Sequence, residues 1–577
     1  MQRHYCGTIN SSLVNQEVLI KGWVKKNRKL GKLVFLDVSD RSGRVQVIVE
    51  ENHPNFENAK NLKRESVVEI KGIVNLRKNA NLELVNGDIE ISLTDLVIDS
   101  ISETTPLIIE NETDALEDVR MSYRFLDLRR PVMQRNLMLR SLVVNKARQF
   151  LIENGFVDIE TPVLGKPTPE GARDYLVPSR VHPHNFYALP QSPQIYKQLL
   201  MVSGFDRYFQ VAKCFRDEDL RSDRQPEFTQ LDMELSFTNE LEIQTIIENL
   251  LKYIFKESLN IDLTIPFRRM DYYTAVNEYG SDKPDLRFDM KLIEATNHFS
   301  TSNLNLFKNA SINQQVIKCI IADVILSKKE VSELEKYAKD MKAKGLAWVS
   351  YDGNTLSGSI ANYIEQHLVI DFLKQNNKQS GTILFIVDKL DVANNALGLI
   401  RNVLGEKLNL KTPNHFEFAW IVNWPLYEHN EEKNIYAPAH HPFTQPQDEY
   451  HNTFDTDKAN ALAKAYDIVL NGYELGGGSI RITNPAMQDK MFKTLGLSSD
   501  EIQNKFGYLL NAFTYGVPPH GGIAIGVDRL ISIMLNLDNI KDVIAFPKNA
   551  NAFDQMLKAP SIVKEEDLEE LSIKLSK

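Results

Sequence analysis

Arg216, Glu218, Phe228, Gln230 and Asp232 flank or enter a stretch, Phe215–Glu227, in which eight of thirteen residues are charged. The segments on either side alternate polar and apolar, as strands do. Paired as a hairpin, the first strand puts Ala212, Cys214, Arg216 and Glu218 on one face and Val211 and Phe215 on the other. The second puts Phe228, Gln230, Asp232 and Glu234 on one face and Leu231, Met233 and Leu235 on the other. A sheet face this polar meets water or a polar ligand. A guanidinium suits a phosphate through its planar fork. A phenyl ring suits a purine, and the carboxylates of Asp232 and Glu218 suit amino groups. The alternative is a solvated face of scattered ion pairs, which are common and weak.

A second cluster lies at 467–482, DIVLNGYELGGGSIRI. Asn471-Gly472 is a strong two-residue hairpin turn. It pairs Leu470 with Tyr473, Val469 with Glu474 and Asp467 with Gly476, so Asp467 and Glu474 fall on one face as diagonal neighbours. Two such carboxylates repel unless a cation lies between them, and hard oxygen ligands fit Mg²⁺ bridging phosphates. Gly476 to Gly478 let a ligand approach the backbone. Strict alternation sends Arg481 to the face opposite Glu474; a bulge among the glycines would bring it round. Residues 521–537, GGIAIGVDRLISIMLNL, read as a strand turning into a helix near Gly526. Arg529 then falls in the first helical turn, where a cation suits the helix dipole poorly and a ligand is the better reason for it. His440 and His441 (APAHHPFT) form a loop pair ahead of this region, and His182 and His184 (VHPHNF) are read as loop residues rather than metal ligands.

The elements that position these groups come next. Residues 134–154 carry Leu139, Val143, Ala147, Phe150 and Leu151 at helical spacing, and Gly155 supplies the stop. A strand, FVDIETP, runs to Pro162. Nearer the N-terminus, strands are expected at 17–24, 33–40, 43–49, 67–75 and 89–98, with a short helix at 54–64. That is the order of an OB-fold β-barrel, often used for single-stranded nucleic acid. Val34, Leu36 and Val38 face in, so Phe35 and Asp37 face out; Val45, Val47 and Val49 face in, and Gln46 out. Between Lys21 and Phe35 stand six basic residues and no acid (Lys21, Lys25, Lys26, Arg28, Lys29, Lys32). A ring for stacking, an amide for base edges and cations for phosphates make a platform for single-stranded RNA. The alternatives are a Phe35 packed under a loop with solvated lysines, or a barrel that binds sugar or protein.

The totals bound the rest. With 577 residues the chain is too long for one core, and two to four domains are expected. The net charge of −10 makes any nucleic-acid site a local basic patch on an acidic protein. No apolar run approaches a membrane span, and the start MQRHYCGTIN lacks a signal-peptide core. The three cysteines are far apart and form no CxxC pair, which points away from disulfides and cysteine zinc sites and toward a reducing cytoplasm.

At these residues the sequence resembles the class II aminoacyl-tRNA synthetases, and within them the bacterial-type aspartyl-tRNA synthetases. Three class motifs occur in order: the helix and strand through Pro162; Phe215-Arg216-Asp217-Glu218, its loop and the strand from Phe228; and Gly526-Val527-Asp528-Arg529 with its helix. The aspartyl-type stretches are TPEGARDY (168–175), QSPQIYKQLLM (191–201), RQPEFTQLD (224–232), HHPFT (440–444), GYELGGGSIRI (472–482) and FPKNANAFDQM (546–556). The match runs nearly end to end.

The resemblance implies a multidomain α+β chain. An OB-fold anticodon-binding domain would span 1–105 and a linker 106–133. A class II catalytic domain, an antiparallel sheet flanked by helices, would span 134–284 and 416–577, with a bacterial-type α+β insertion at 285–415. It implies an aminoacyl-tRNA ligase that activates L-aspartate with ATP and transfers it to the terminal ribose of tRNA(Asp), a cytoplasmic homodimer using Mg²⁺.

Arg216 would hold the α-phosphate and the substrate's α-carboxylate; Glu218 would meet adenine, stacked between Phe228 and Arg529. Asp217, Gln225, His441, Glu474, Gly526, Val527 and Asp528 would complete the ATP site, and Asp467 and Glu474 would hold the metal. Lys197 and Arg481 would clamp the side-chain carboxylate of aspartate; Glu170, Ser192, Gln194 and Asp232 would surround its amino group, with His440 also on the amino acid. Arg28, Phe35, Gln46, Asn79 and Glu90 would read the anticodon, and Arg221 would meet the acceptor end. The loop around Lys166–Ala172 would close over the substrate. The rivals are an asparaginyl or lysyl enzyme, a relative that also charges tRNA(Asn), with Leu30 the residue to examine, and a catalytically dead RNA-binding paralogue.

Overall fold

The computed structural model describes residues 2–81, 85–167, 171–310, 312–430 and 434–576. The chain folds as two compact units, Met1–Met138 with Ala545–Ser561, and Leu139–Ile544 with Ile562–Lys577.

The first unit is built on a barrel. Its strands are Glu17–Leu30, Leu33–Asp40, Gly43–Glu50, Val67–Leu76 and Ile89–Ser100, with the helix Phe56–Asn61 between the third and fourth. The strand Glu17–Leu30 pairs with both Leu33–Asp40 and Val67–Leu76, which closes the sheet. The inward valines and isoleucines fill one core, with Val34, Leu36, Val38, Val47 and Val49 fully buried. The first strand is longer than its sequence pattern predicts. Its basic end, Lys25–Leu30, continues as strand after a bulge between Val24 and Lys26, because Arg28 and Lys29 still pair with Phe35 and Val34. The expected linker carries structure of its own. It contains the short helices Glu117–Ser122 and Arg124–Asp127 and a small cluster of Leu107, Ile109 and Leu126. Its arginines converge on Asp127, which is fully buried and accepts from Arg120 at 3.0 Å, Arg124 at 2.6 Å and Arg130 at 2.8 Å. Burial alone would raise the Asp127 pKa, but these donors outweigh it and hold the carboxyl below its ordinary range.

The second unit centres on an eight-stranded sheet. In spatial order its strands are Arg268–Asp271, Phe418–Val422, Ala465–Leu470, Tyr473–Ile480, His520–Gly526, Glu227–Ser236, Arg207–Phe215 and Val157–Asp158. All neighbours are antiparallel except the two edge pairs, which are parallel. One face carries the apolar set (Phe209, Leu231, Met233, Trp420, Ile468, Ile523) and packs on the helices Pro131–Glu153, Glu240–Leu259 and Val527–Met534. The other face holds the polar set.

Within the same unit, 293–388 forms a five-stranded sheet with helices Lys328–Asp340, Gln366–Gln375 and Leu390–Lys407. Arg401, in the last helix, is 1% exposed. Its guanidinium lies 4.0 Å from the Phe288 ring centre and 4.9 Å from that of Tyr279. It donates to the carbonyls of Met290 (2.7 Å), Phe288 (2.8 Å) and Asp285 (2.9 Å). Burial lowers its pKa to about 10. Arg401→Met would leave those buried carbonyls without donors, a loss of about 3 kcal/mol, and Lys cannot restore the fork. The thermal transition of the second unit is expected to fall by several degrees in both variants; an unshifted transition would show that Arg401 does not tie the segment 285–290 to the helix.

Candidate active site

The hairpin Arg207–Phe215/Glu227–Ser236 has the register its alternation implies: Cys214 opposes Phe228, Gln210 opposes Asp232, and Tyr208 opposes Glu234. A cavity of about 460 Å³ opens on its polar face and runs over the Tyr473–Ile480 and His520–Gly526 strands. Glycines make room for it. A Cβ at Gly522 would lie 2.1 Å from Glu234 Oε2, and one at Gly477 would lie 2.6 Å from Asp467 Oδ1. Side chains there would collide with the carboxylates of Glu234, buried beneath the cavity, and Asp467, which lines it.

The register of the second hairpin differs from strict alternation. Val469 opposes Glu474, but Ile468 opposes Gly476 and Asp467 opposes Gly477, so Leu475 is an extra residue in its strand. The bulge keeps Glu474 on the face of Asp467 and turns Ser479 and Arg481 onto that face as well. The expected Asp467–Gly476 pairing is thereby corrected by one residue, and the route of Arg481 into the cavity is explained.

Four charges interlock at one end. Lys197, on the helix Gln194–Val202, places Nζ 2.7 Å from Asp232 Oδ1 and 3.4 Å from Glu234 Oε2. Arg481 grips Glu234 with Nε at 2.9 Å and Nη2 at 3.0 Å. All four residues are 2% exposed or less. Burial would raise the Glu234 pKa, but Arg481 and Lys197 outweigh it and Glu234 stays below its ordinary range. Burial wins at Asp232, whose pKa is raised despite Lys197. Asp232 Oδ2 and Gln194 Nε2 are buried and have no hydrogen-bond partner. Both residues line the cavity, as does Ser192, so these atoms await a ligand's donor and acceptor.

The resemblance places His441 at the ATP phosphates. His441 lines the cavity, and its Nε2 accepts a 2.6 Å hydrogen bond from Arg481 Nη1, which joins it to this charged end. Burial first, then Arg481, His440 and Lys197 hold its pKa well below the ordinary value, so the ring can accept this bond. His440 is driven to about 4, mainly by burial. Its ring meets Trp424 edge-on at 4.8 Å, and Nε2 lies 3.7 Å from Asp467 Oδ1.

Asp467 and Glu474 both line the cavity. Burial first, then Glu474 and Asp282, raise the Asp467 pKa well above its ordinary value, and its Oδ1 has no hydrogen-bond partner. Among the described residues no three His, Cys, Asp or Glu side chains converge as a metal cage. The donor set is two carboxylates, which fits a cation that takes its remaining ligands from phosphate oxygens and water.

At the other end Phe228 presents its ring, with the Arg216 guanidinium 5.0 Å from its centre. Glu218, Gln225, Gly526 and Arg529 line the same space. The structure places three further residues expected at ATP as follows. Asp217 does not line the cavity; it faces Arg173, 3.8 Å away, because it has the opposite parity to Arg216 and Glu218. Val527 is 4% exposed and packs in the apolar core under the sheet. Asp528 lines the cavity, but its carboxylate accepts from Arg140 and from Thr229 N (2.8 Å), which fixes the helix start. Glu170 lies outside the described residues. Arg221 is exposed on the charged loop. Glu234 is the residue that sequence reasoning left without a role. Its parity with Asp232 was visible, but its embrace of Arg481 depends on the distant bulge.

In the first unit, Arg28 opposes Phe35 and Asp37 opposes Gln46. Phe35, Gln46 and Glu90 are half-buried on the outer face, Arg28 and Asn79 are exposed, and Asp37 is covered by Arg28 at 3.3 Å. The face has the ring, amide and cation that base recognition uses.

Residues 116–550 match the family model of tRNA synthetases class II (D, K and N), and residues 18–92 match that of the OB-fold nucleic acid binding domain. An aspartate–tRNA ligase of Malacoplasma penetrans (strain HF-2) is 52% identical over 575 residues, 99% of each chain. Another, of Macrococcus caseolyticus (strain JCSC5402), is 47% identical over 583 residues, 99% of this chain and 98% of that one. Among solved structures, asparaginyl-tRNA synthetase from Pyrococcus horikoshii complexed with asparaginyl-adenylate aligns with a TM-score of 0.61 at 19% identity, covering 95% of this chain and 98% of that one. Aspartyl tRNA synthetase from Entamoeba histolytica aligns at 0.59 and 18% identity, covering 95% and 92%. At such identities the structures speak for the fold alone. Among the described residues no helix is long and apolar enough to cross a membrane.

Proposed function

The chain belongs to the class II tRNA synthetases (D, K and N), and from that premise we propose how its cavity works. The protein is an aminoacyl-tRNA ligase that activates L-aspartate with ATP and esterifies it to tRNA(Asp). The observation that carries the residue-level reading is the buried quartet Lys197, Asp232, Glu234 and Arg481, with Asp232 Oδ2 left open beside it.

Aspartate enters with its side-chain carboxylate toward Lys197 and Arg481 and its ammonium toward Asp232 Oδ2, Ser192 and the amide oxygen of Gln194, whose Nε2 is left to donate to a substrate oxygen. His441 orients Arg481, and His440 borders the substrate. Arg216 holds the α-carboxylate and the ATP α-phosphate together. The adenine ring lies between Phe228 and Arg529, with its amino group toward Glu218. Asp467 and Glu474 would hold Mg²⁺, which supplies charge neutralisation to the phosphates when bound. The α-carboxylate oxygen attacks the α-phosphorus, the bond to the β-phosphate oxygen breaks, and pyrophosphate leaves. The attacking group is already an anion, so no protein base is required; positioning and charge stabilisation carry the step. The 3′-hydroxyl of the terminal adenosine then takes the aspartyl group and AMP departs.

The OB-fold face reads the anticodon through Arg28, Phe35, Gln46, Asn79 and Glu90, and Arg221 meets the acceptor end. The domain reading keeps 285–415 as an insertion in the catalytic body. Leu142, Ile152, Val157, Val163 and Leu164 leave apolar side chains exposed, which a second copy would cover. The reaction belongs to the cytoplasm, where its substrates meet.

ATP–pyrophosphate exchange tests the reading. Exchange is expected with aspartate and not with lysine; equal exchange with asparagine and aspartate overturns it. Phe35→Ala should raise the KM for tRNA(Asp) roughly tenfold, on the scale of one lost stacking contact, and leave exchange unchanged. An unaltered KM would remove Phe35 from the RNA face.

A further inference from the structure

The charged loop after Glu218 meets two cavity-lining residues, Arg529 and Glu218. The Ser222 carbonyl accepts a hydrogen bond from Ile540 N at 3.1 Å, which fixes the loop backbone against the segment that follows the Val527–Met534 helix. Next to it, Asp223 Oδ2 lies 3.0 Å from Arg529 Nη2. Arg224 Nη1 lies 3.1 Å from Glu218 Oε2. Arg529 Nη1 donates to the Glu474 carbonyl.

From these contacts we infer that Asp223 is a positioning residue for ATP: with the Glu474 carbonyl it sets the plane of the Arg529 guanidinium. A guanidinium donates hydrogen bonds within its plane and stacks through its faces. Asp223 and Glu474 use two in-plane donors, so they hold the group edge-on and leave a face open. Phe228 supplies the other wall of the slot. Without the Asp223 carboxylate, Arg529 keeps its charge and its Glu474 bond but can rotate about that bond. Ring stacking then has to order the side chain when nucleotide binds, which weakens binding without altering chemistry at phosphorus. Asp223 and Arg529 are 30% and 21% exposed in their side chains, so solvent screens the pair and the effect is moderate.

The inference rests on the proposed placement of adenine against Arg529, and the test separates the two. In pyrophosphate exchange, Asp223→Ala is expected to raise the KM for ATP roughly three- to tenfold, with kcat and the KM for aspartate unchanged. Asp223→Asn, which can still accept the hydrogen bond, is expected to recover part of the loss. Arg529→Ala should raise the KM for ATP at least as much, and Asp223→Ala should add nothing in that background. If Arg529→Ala leaves the KM for ATP unaltered, the adenine placement fails. If Arg529→Ala raises it and Asp223→Ala does not, the positioning role alone fails. A lower KM for ATP in Asp223→Ala would also overturn it, showing that the carboxylate occupies nucleotide space rather than building its wall.

Discussion

Replacing Arg216 by alanine lowers the rate of aspartyl-adenylate formation by two or more orders of magnitude. The step brings a carboxylate anion against a polyphosphate, and negative charge gathers around the α-phosphorus as the new bond forms. A fixed guanidinium reaching both reactants offsets their repulsion and holds them in line. Loss of one such preorganised stabiliser costs about 3–4 kcal/mol. Arg216 is suited to this. It sits at the end of a strand whose neighbours are locked in the sheet register, with its guanidinium over the Phe228 ring. Lysine at this position retains charge but loses the planar fork, so Arg216→Lys should recover only part of the rate. ATP–pyrophosphate exchange measures it directly; near-normal exchange in the alanine variant would remove Arg216 from the chemistry. The barrel's grip on tRNA should be unaffected, which separates this outcome from global misfolding.

Arg481→Leu is expected to reduce kcat/KM for aspartate by about two to three orders of magnitude. Breaking a buried ion pair by removing one partner costs roughly 3–5 kcal/mol, because the other charge stays buried. Here the stranded group is Glu234, fully buried and held below its ordinary pKa chiefly by Arg481. Without the arginine it competes for Lys197 or takes up a proton, and the substrate's side-chain carboxylate meets one cation where it needs two. Activity with asparagine should fall less than activity with aspartate, since the amide never drew on the second charge. Side-by-side exchange assays give the ratio; an aspartate preference equal to the parent's would show that Arg481 does not set specificity. Removing Glu234 as well, in Glu234→Gln/Arg481→Leu, relieves the buried anion and should restore stability without restoring the aspartate preference.

Much of this arrangement was legible in residue order because strand alternation is a local rule. Parity alone put Arg216, Glu218, Phe228 and Asp232 on one face and Asp467 and Glu474 together on one face; the sheet register keeps Phe228 with Asp232 and Asp467 with Glu474, and Arg216 and Glu218, just past the strand, line the same cavity. The same rule misplaced what lay beyond an irregularity. One extra residue at Leu475 shifts the register and brings Arg481 into the cavity. The first barrel strand ran past its expected end because pairing with Phe35 and Val34, rather than its own composition, keeps the basic stretch extended.

By itself the sequence determined the barrel's inward and outward sets, the polar floor of the catalytic sheet and the residue types that meet there. Hydrophobic periodicity is written within each segment and needs no knowledge of its neighbours. The tertiary structure alone decided that Glu234 holds Arg481, that His441 turns to that arginine, that Asp217 faces Arg173 and Val527 packs under the sheet, and that Asp127 gathers three arginines in the supposed linker. These are contacts between side chains brought together by burial, and a buried charge takes whichever partner the packing sets within reach.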